Sequence, residues 1–445
     1  VDFDMWRYSE DELIPFIDFF FRDLGLKRVF AGLDRLGALL QKIKDGYNDV
    51  PFHNFHHAFS VTQMMYLVLR ACRDNDPFLT DLERLALMFA ALTHDLGHEG
   101  LNNMYQVNAR TTLAMRYNDN SCLEYFHCSS AFQLLRWPRT NIVRDLGTED
   151  YKRFRKVVIA AILATDVAKH KDIKGSFESL AFDMRNEDHR LHLGQILMMC
   201  CDISNEVRSF EVSKVWANRL MTEFDHQVTR EKSEGLPFAA FMDKSSVVLE
   251  KSQIAFISFM LRPLWVVASN MLPELVTFVD EIDHNFHEWA LLRTKSVADL
   301  IHNALLRMYP DHTSRTYEVG ERLCVKGEES HDLLLVIEGS CAAVGVEGVE
   351  LVTFRPGSII GEQAMLTRTR RMATVIAKTR CRVDVVGVDV FEELCRVCPE
   401  LELSSLVNQL GSIRKLMINR NVERGLMSIG LAVPEKEIAF MGGGG

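Results

Sequence analysis

The apolar residues of this 445-residue chain change their spacing part-way along it. Up to about residue 297, segments such as EDELIPFIDFFFRDL and DLERLALMFAALTHD repeat apolar residues at i, i+3 and i+4, which predicts helices. From about residue 314, short β-branched runs alternate with glycines and charges, as in RTYEVGERLCVKGEE, which predicts strands and tight turns. The fold class predicted is α+β and multidomain, with an all-α domain followed by a β-rich one.

The length also requires more than one hydrophobic core. We predict a helical domain over residues 1–297 and a linker helix over 298–314, where the sequence reads VADLIHNALLRMY. The β-rich part spans about 315–400, and helices behind it extend this second domain to 430. Residues 431–445 are a tail ending in GGGG.

Composition narrows the class of protein. The net charge of −10 argues against nucleic acid or an anionic membrane as the main partner. The 10 cysteines show no disulfide framework, so we expect a cytoplasmic, reducing compartment. The longest apolar run is interrupted by Arg262 and Pro263, so we expect no membrane segment within this chain. Because the chain begins with Val1, membrane attachment through flanking regions stays open.

Histidines recur at helical spacing next to apolar runs. His53 and His57 are four residues apart and would share one face of a helix. His94 and His98 repeat this spacing, and Asp95 directly follows His94. An apolar helix that ends in His-Asp and then glycines is unusual for a purely structural element.

Two further acids, Asp166 and Asp202, also end apolar helices. Imidazole nitrogens and carboxylate oxygens together suit zinc and harder divalent ions. An acid beside a histidine can bridge two metals, and paired metals are used to hydrolyse phosphate esters. The alternative is a set of satisfied polar groups at helix ends. The coincidence of several such groups favours a metal site.

The motifs FHNFHHAFSV, HDLGHEG, CCDISNEV and SQIAFISFMLRPLW occur in this order. Together they resemble the signatures of the class I 3′,5′-cyclic nucleotide phosphodiesterases, over about residues 3–297. The resemblance implies an all-helical catalytic domain. It also implies hydrolysis of a 3′,5′-cyclic nucleotide to the 5′-monophosphate by a hydroxide that two metals activate.

The resemblance assigns a role to each matched residue. Zn²⁺ would be held by four ligands: His57, His94, Asp95 and Asp202. Asp95 would also bridge to a second ion, Mg²⁺ or Mn²⁺. His53 would be the general acid that protonates the leaving O3′.

Five further positions match residues around the metals and the nucleotide. His98 and Glu124 would lie near the metal-bound waters. Asn205 and Gln253 would line the nucleotide pocket, and Phe256 would stack on the purine.

Two departures from the family pattern stand out. The family usually has Asp where Gly97 stands and Pro where Glu99 stands. It has Asn-His-His where this chain has Tyr125, Phe126 and His127. The lost acid could weaken the orientation of water near the metals. Because the ligands and the acid are present, we still expect activity.

The choice of nucleotide depends on a carboxylate. The amide of Gln253 can turn to suit adenine or guanine. Guanine has N–H donors that adenine lacks, so Glu206 would favour cGMP, with Gln253 and Phe256 completing the base site. The sequence CCDISNEVRSFEV also resembles the cGMP-specific, high-affinity branch of the family. The alternative is that Glu206 is a solvated helix residue.

The segment GSIIGEQAMLTRTRRMATV resembles the phosphate-binding cassette of cyclic-nucleotide-binding domains, which are β-rolls. On this match Gly361 and Glu362 open the cassette, Glu362 binds the ribose 2′-OH, Arg371 pairs with the cyclic phosphate, and a strand resumes at Thr374. Met372 stands where cGMP-selective modules often carry Thr, which slightly favours cAMP as effector. The alternative is a roll that has lost its ligand.

The expected partners are therefore a cyclic nucleotide substrate and a cyclic nucleotide effector, without nucleic acid and with a homodimer as a further option. A rival hypothesis is a catalytically silent scaffold that binds cyclic nucleotide and a protein partner. A third, a hydrolase of another phosphoester, is weakened by Gln253 and Phe256.

Overall fold

The computed structural model describes residues 3–73, 79–345 and 350–397. The chain divides into two compact units after Phe286. The helices predicted behind the β-rich part lie mostly, and the tail 431–445 wholly, outside the described residues.

The described residues of the first unit form helices joined by loops. They are α1 (Glu10–Asp23), α2 (Leu26–Val29), α3 (Leu36–Lys44), α4 (Phe55–Ala71), α5 (Asp81–Thr93), α6 (Asn103–Asn108), α7 (Thr112–Tyr117), α8 (Cys122–Leu134), α9 (Thr148–Leu163), α10 (His170–Glu178), α11 (Glu187–Asp202), α12 (Phe210–Glu234), α13 (Leu249–Phe256) and α14 (Arg262–Met271). Helix α15 (Val276–Met308) begins in this unit and includes most of the predicted linker helix.

Helices α4, α5 and α11 form the centre of the first unit. Most side chains of α4 and α5 are buried on every side, and the last ten residues of α11 are largely buried too. A capping box starts α5, since the Thr80 N–H donates to Glu83 Oε2 at 2.8 Å and the Glu83 N–H to Thr80 Oγ1 at 3.2 Å. The candidate site lies at the ends of these core helices.

A π-helix (Ile257–Leu261) joins α13 to α14, so Leu249–Met271 is helical throughout. Among the described residues, this helix is long and apolar enough to cross a membrane. Length and composition alone are weak evidence, because core helices pass the same test. Its buried Trp265 packs against Phe278 with the ring centroids 5.3 Å apart, and Arg262 pairs with Asp283 at 2.8 Å. These contacts are typical of a core helix.

The second unit contains eight described strands in two antiparallel sheets. They are β1 (Ser314–Tyr317), β2 (Arg322–Cys324), β3 (Leu333–Glu338), β4 (Cys341–Val344), β5 (Glu350–Phe354), β6 (Ile359–Ile360), β7 (Thr374–Ala377) and β8 (Cys381–Val386). The strand orders are β1-β8-β3-β6 and β2-β7-β4-β5. The predicted fold class is confirmed, because helices precede an antiparallel β module.

Alternating side chains of both sheets form the core of this module, with Leu334, Val336, Phe354 and Val383 among them. Between β6 and β7 the chain forms the short helix α16 (Glu362–Thr367), and α17 (Val388–Val397) follows β8. The cassette sequence thus occupies a helix-containing excursion between two strands.

Candidate metal centre and nucleotide sites

Three core helices bring the predicted metal ligands to one place. Asn54 caps α4, and its Oδ1 accepts the backbone N–H of His57 at 3.2 Å. His94 directly follows α5, Asp95 comes next, and Asp202 is the last residue of α11. Each ligand is therefore positioned by the end of a buried helix.

The four side chains offer ligand atoms that lie within 4.8 Å of one another. The Nε2 atoms of His57 and His94 are 3.1 Å apart. The Oδ2 of Asp95 and the Oδ1 of Asp202 lie between 3.0 and 3.3 Å from these nitrogens. Ligands about 2.0–2.2 Å from one zinc-sized ion would lie about 3.0–3.5 Å apart. The observed spacing therefore fits a divalent cation.

Two further observations support this fit. The Nδ1 of His94 lies 3.0 Å from the carbonyl oxygen of Ala91, which can only accept. Nδ1 therefore carries the proton, and the lone pair of Nε2 faces the cluster. Beyond the Nε2 atoms of His57 and His94, the buried Oδ2 of Asp95 has no hydrogen-bond partner among the described residues. A cation is the group that would satisfy both atoms.

The charges of the cluster favour a cation as well. Burial lowers the pKa of His94, but the carboxylates of Asp95 and Asp202 outweigh burial and hold it well above its usual value. Burial raises the pKa of both acids, yet His94 holds each well below its usual value. A divalent ion at this point would replace the imidazole proton as the balancing charge.

Glu223, a residue on α12 that the motifs do not mark, holds His53. Its Oε2 accepts the backbone N–H groups of Phe52 at 2.8 Å and His53 at 3.1 Å, and its Oε1 faces the Nδ1 of His53. Burial lowers the pKa of His53, but Glu223 raises it to about 9. Burial raises the pKa of Glu223, but His53 lowers it to about 2. The Glu223 carboxylate therefore favours the protonated form of His53, whose ring centroid lies 5.6 Å from that of His57.

His98 packs against the same imidazole. The rings of His98 and His53 are stacked with centroids 4.1 Å apart. The Nδ1 of His98 accepts the backbone N–H of Gly100 at 2.9 Å. Burial and the charge of His53 hold the pKa of His98 well below its usual value. His98 is neutral, and its proton is on Nε2.

Glu124 and His127 lie on α8. The amide of Asn103 donates to both oxygens of Glu124, at 2.9 and 3.1 Å. Burial raises the pKa of Glu124 to about 7, although Asn103 opposes this. His127 donates from Nδ1 to the carbonyl of Leu96 at 2.9 Å, and its Nε2 lies 3.8 Å from Oδ1 of Asp95. Burial lowers its pKa to about 4.

The predicted base-reading residues lie on two other elements. Gln253 is buried and Phe256 half-buried, one turn apart on α13. Asn205 and Glu206 lie on the 3-10 helix Ser204–Val207, just after α11. Glu206 is completely buried, so it is not the solvated helix residue of the alternative hypothesis.

In the second unit the buried guanidinium of Arg371 lies against Gly361. Arg371 is 4% exposed, and its Nη2 donates to Asp332 O at 2.7 Å and Ser330 Oγ at 3.1 Å. Its Nε and Nη1 have no hydrogen-bond partner among the described residues. Gly361 has φ of 93°, and a Cβ there would meet Nη1 of Arg371 at 1.7 Å. Only glycine therefore lets the guanidinium pack here, and two donors remain for an anion.

The two other cassette residues lie at element ends. Glu362 is buried at the start of α16. Thr374 begins β7, and its Oγ1 accepts the backbone N–H of Lys326 at 3.0 Å.

Comparison with known protein families identifies both units. Residues 52–282, more than half of the chain, match the family model described as 3′5′-cyclic nucleotide phosphodiesterase. The chain belongs to this phosphodiesterase family. Residues 314–397 match the model of the cyclic nucleotide-binding domain. The predicted phosphodiesterase family and the predicted cyclic-nucleotide-binding module are thereby confirmed.

Individual relatives agree with the family match. A mouse protein named "High affinity cGMP-specific 3',5'-cyclic phosphodiesterase 9A" is 44% identical over 274 residues, which cover 61% of this chain and 51% of the relative. The "cGMP-specific 3',5'-cGMP phosphodiesterase 3" of Dictyostelium discoideum is 35% identical over 294 residues, covering 65% of this chain and 63% of the relative. The chain spans about half the length of the first of these relatives.

A solved structure shares the fold. The phosphodiesterase domain of the RhoPDE fusion protein from the choanoflagellate Salpingoeca rosetta superposes with a TM-score of 0.63 at 35% identity. The alignment covers 68% of this phosphodiesterase chain and 96% of that chain.

The structure brings the four predicted ligands together and places His53 and His98 beside them. Asp166 is not part of this cluster; it caps the 3-10 helix Val167–Lys169 and accepts from Ser121 at 2.7 Å. A sequence signal for Glu223 does exist. Glu223, Gln227 and Glu231 recur every four residues on the buried face of α12.

Proposed function

We propose that the chain hydrolyses a 3′,5′-cyclic nucleotide to the 5′-monophosphate and prefers cGMP to cAMP. The observation that carries this proposal is the convergence of two imidazoles and two carboxylates beside His53, which pairs with Glu223. Family membership and the cGMP-specific names of the relatives support it.

We further propose Zn²⁺ as the ion held by His57, His94, Asp95 and Asp202, with Mg²⁺ or Mn²⁺ next to Asp95. Bound divalent ions supply Lewis-acid polarisation of the phosphodiester and a nucleophile at neutral pH. The protein contributes fixed ligands, and His98 and Glu124 orient solvent beside them. Elemental analysis of the purified chain tests the metal identity; a folded chain free of zinc would contradict it.

His53 would give its proton to the leaving O3′, since a protonated imidazole within reach of the phosphodiester lowers the cost of expelling an alkoxide. Glu223 holds Nδ1 of His53 and two backbone N–H groups at once. This leaves the ring with one orientation and Nε2 as the atom that donates. His53→Asn should therefore reduce kcat by roughly 100-fold or more while the zinc content is unchanged.

Base selection would depend on Gln253, Glu206, Asn205 and Phe256. Gln253 and the half-buried Phe256 lie one turn apart on α13, which supports a shared base site. The test is kcat/KM for cGMP and cAMP in the unsubstituted chain and in Glu206→Ala. A preference for cAMP that Glu206→Ala leaves unchanged would refute the assignment.

The second unit would bind a cyclic nucleotide as effector through Gly361, Glu362, Arg371 and Thr374. The unpartnered Nε and Nη1 of the buried Arg371 support a phosphate ligand. Calorimetric titration with cAMP and with cGMP identifies the effector. If Arg371→Ala changes neither this binding nor the turnover with effector present, the roll is not a regulator.

The cysteines support a reducing compartment such as the cytoplasm. Nine of them are described, all free, and eight of these are buried. Imaging of the tagged protein in its own cell tests this; secretion would contradict it.

A further inference from the structure

The side chain of Asn285 holds the turn that carries Asn205 and Glu206. Asn285 lies on α15 and is completely buried. Its Nδ2 donates to the backbone carbonyls of Arg208 at 2.7 Å and Glu206 at 2.9 Å, and it also lies 3.0 Å from Ser213 Oγ. One amide thus satisfies two carbonyls that are two residues apart.

Arg208 fastens the same turn to the helix that carries the ligand His57. Arg208 is completely buried; its Nη1 donates to Oε1 of Gln63 at 2.6 Å and its Nη2 to the carbonyl of Ser60 at 2.7 Å. Gln63 and Ser60 lie on α4, as His57 does. The turn is therefore held in two ways. The Arg208 side chain binds it to α4, and the Asn285 side chain of α15 binds its backbone carbonyls.

These hydrogen bonds fix the position of the backbone that carries Asn205 and Glu206, which packing alone would not do. A 3-10 helix of four residues, Ser204–Val207, has few hydrogen bonds of its own, so its backbone depends on outside donors. A buried carbonyl that loses its donor must move or remain unsatisfied. Any movement of this backbone displaces Asn205 and Glu206, which lie within the 3-10 helix.

We propose that Asn285 is a positioning residue for base selection, which fixes where Asn205 and Glu206 stand relative to the nucleotide. The proposal rests on the proposed function, because it assigns selectivity to that site. Asn285 itself does not touch the reacting atoms.

The test compares Asn285→Asp with the unsubstituted chain. Aspartate keeps the size of the side chain but presents oxygen to both carbonyls and cannot donate when ionised. We expect kcat/KM for cGMP to fall about tenfold or more, mainly through KM, and the cGMP-to-cAMP ratio of kcat/KM to fall about tenfold. The matched control is Asn218→Asp on α12, where an exposed Asn218 Nδ2 donates to the carbonyl of Lys214 at 2.7 Å. The control should leave the ratio unchanged.

A purely structural role gives a different result. It would lower the melting temperature and the active fraction, so that turnover of both nucleotides falls by one factor and the ratio stays constant; that outcome overturns the proposal. If Asn285→Asp does not fold, Ser213→Ala removes one of the three contacts and should shift the ratio in the same direction by a smaller factor.

The failure of the proposed function is distinguishable from failure of this inference. An unsubstituted chain that turns over neither nucleotide defeats the proposed function and the selectivity claim with it. Turnover with an unchanged ratio in Asn285→Asp defeats only the inference. Amide hydrogen exchange of the segment 203–213 gives an independent measurement. Loss of the hydrogen bonds from Asn285 must speed exchange there in Asn285→Asp but not in Asn218→Asp.

Discussion

The ring of Phe126 occupies the place where a side chain at Gly97 would lie. A Cβ at residue 97 would be 3.0 Å from Cε1 and 3.1 Å from Cζ of Phe126, and the φ of Gly97 is +82°. Both residues are departures from the family pattern, and they are in contact. The residue that replaces the family's acid therefore lies against the residue that replaces its histidine, next to His98.

Restoring the acid alone should destabilise the protein. Gly97→Asp adds a side chain against Phe126 and in a left-handed conformation, so we expect the free energy of unfolding to fall by about 1–3 kcal/mol. Combined with Phe126→His, whose ring is smaller, the loss should be less than the sum of the two single losses. Urea denaturation of the four proteins measures this coupling.

Gly25 provides a matched control for the backbone conformation. Its φ is +77°, and a Cβ there would meet nothing within 4 Å. Gly25→Asp should therefore show only the smaller cost of the positive φ. Strictly additive losses at 97 and 126 would mean that the Phe126 ring does not limit position 97.

Replacing Glu223 should move the pH profile of turnover. Glu223 raises the pKa of His53 to about 9 against the opposing effect of burial. In Glu223→Gln the main groups that raise this pKa are lost, and only the smaller effects of Asp95 and Asp202 still oppose burial. The pKa of His53 therefore falls, and the general acid loses its proton at lower pH. The alkaline limb of log kcat/KM against pH should shift to lower pH, and kcat at pH 8 should fall roughly tenfold or more.

Glu234→Gln serves as the control, because Glu234 lies on the same helix but pairs with Arg230 and Tyr105. Its profile should superimpose on that of the unsubstituted chain. An unshifted alkaline limb in Glu223→Gln would show that another group sets it.

Removing metal should lower stability through the four-ligand cluster. A ligand that binds only the folded state at 100 times its Kd stabilises it by about 2.7 kcal/mol, so a chelator should lower the melting temperature and zinc should restore it. Asp202→Asn should abolish most of this response, because it removes one of the two carboxylates. Asp188→Asn, on the exposed start of α11, should respond as the unsubstituted chain does. An equal zinc response in Asp202→Asn would place the metal elsewhere.

How far the sequence could predict this site depends on distance along the chain. The four metal ligands could be predicted because each lies at the end of an apolar helix, which is a local sequence pattern. They are His57, His94, Asp95 and Asp202. The pairing of His53 with Glu223 joins residues 170 positions apart. Periodicity shows that Glu223 lies on the buried face of α12, but it does not reveal the partner.

The same limit applies to the rest of the fold. The change from helical to strand spacing fixes the order of the two modules, whereas the pairing of β1 with β8 joins Ser314 to Asp384 across the whole roll. The contacts of Asn285 with Glu206 and Arg208 are equally remote in sequence. By contrast, the length of α15 could be predicted locally. Its sequence from Val276 to Met308 contains neither glycine nor proline, so nothing in it interrupts a helix.

A last prediction concerns the stability of the roll itself. Asp384 on β8 is buried; its Oδ2 lies 3.0 Å from Nδ1 of His302 and 3.0 Å from Nε2 of His312, and Ser314 Oγ donates to its Oδ1. One carboxylate thus joins α15, the following loop and two strands of this unit. Asp384→Asn keeps the shape but removes the charge that both imidazoles face, so we expect the second unit to lose about 1–3 kcal/mol.

Limited proteolysis and thermal unfolding of the full chain measure this loss, and cleavage should appear first after residue 308. Asp311→Asn, an exposed acid in the same loop, is the control and should unfold like the unsubstituted chain. If Asp384→Asn resists protease as well as the control does, the carboxylate is not what fastens α15 to the sheet, and hydrophobic packing of residues such as Ile301 and Leu305 must do so instead.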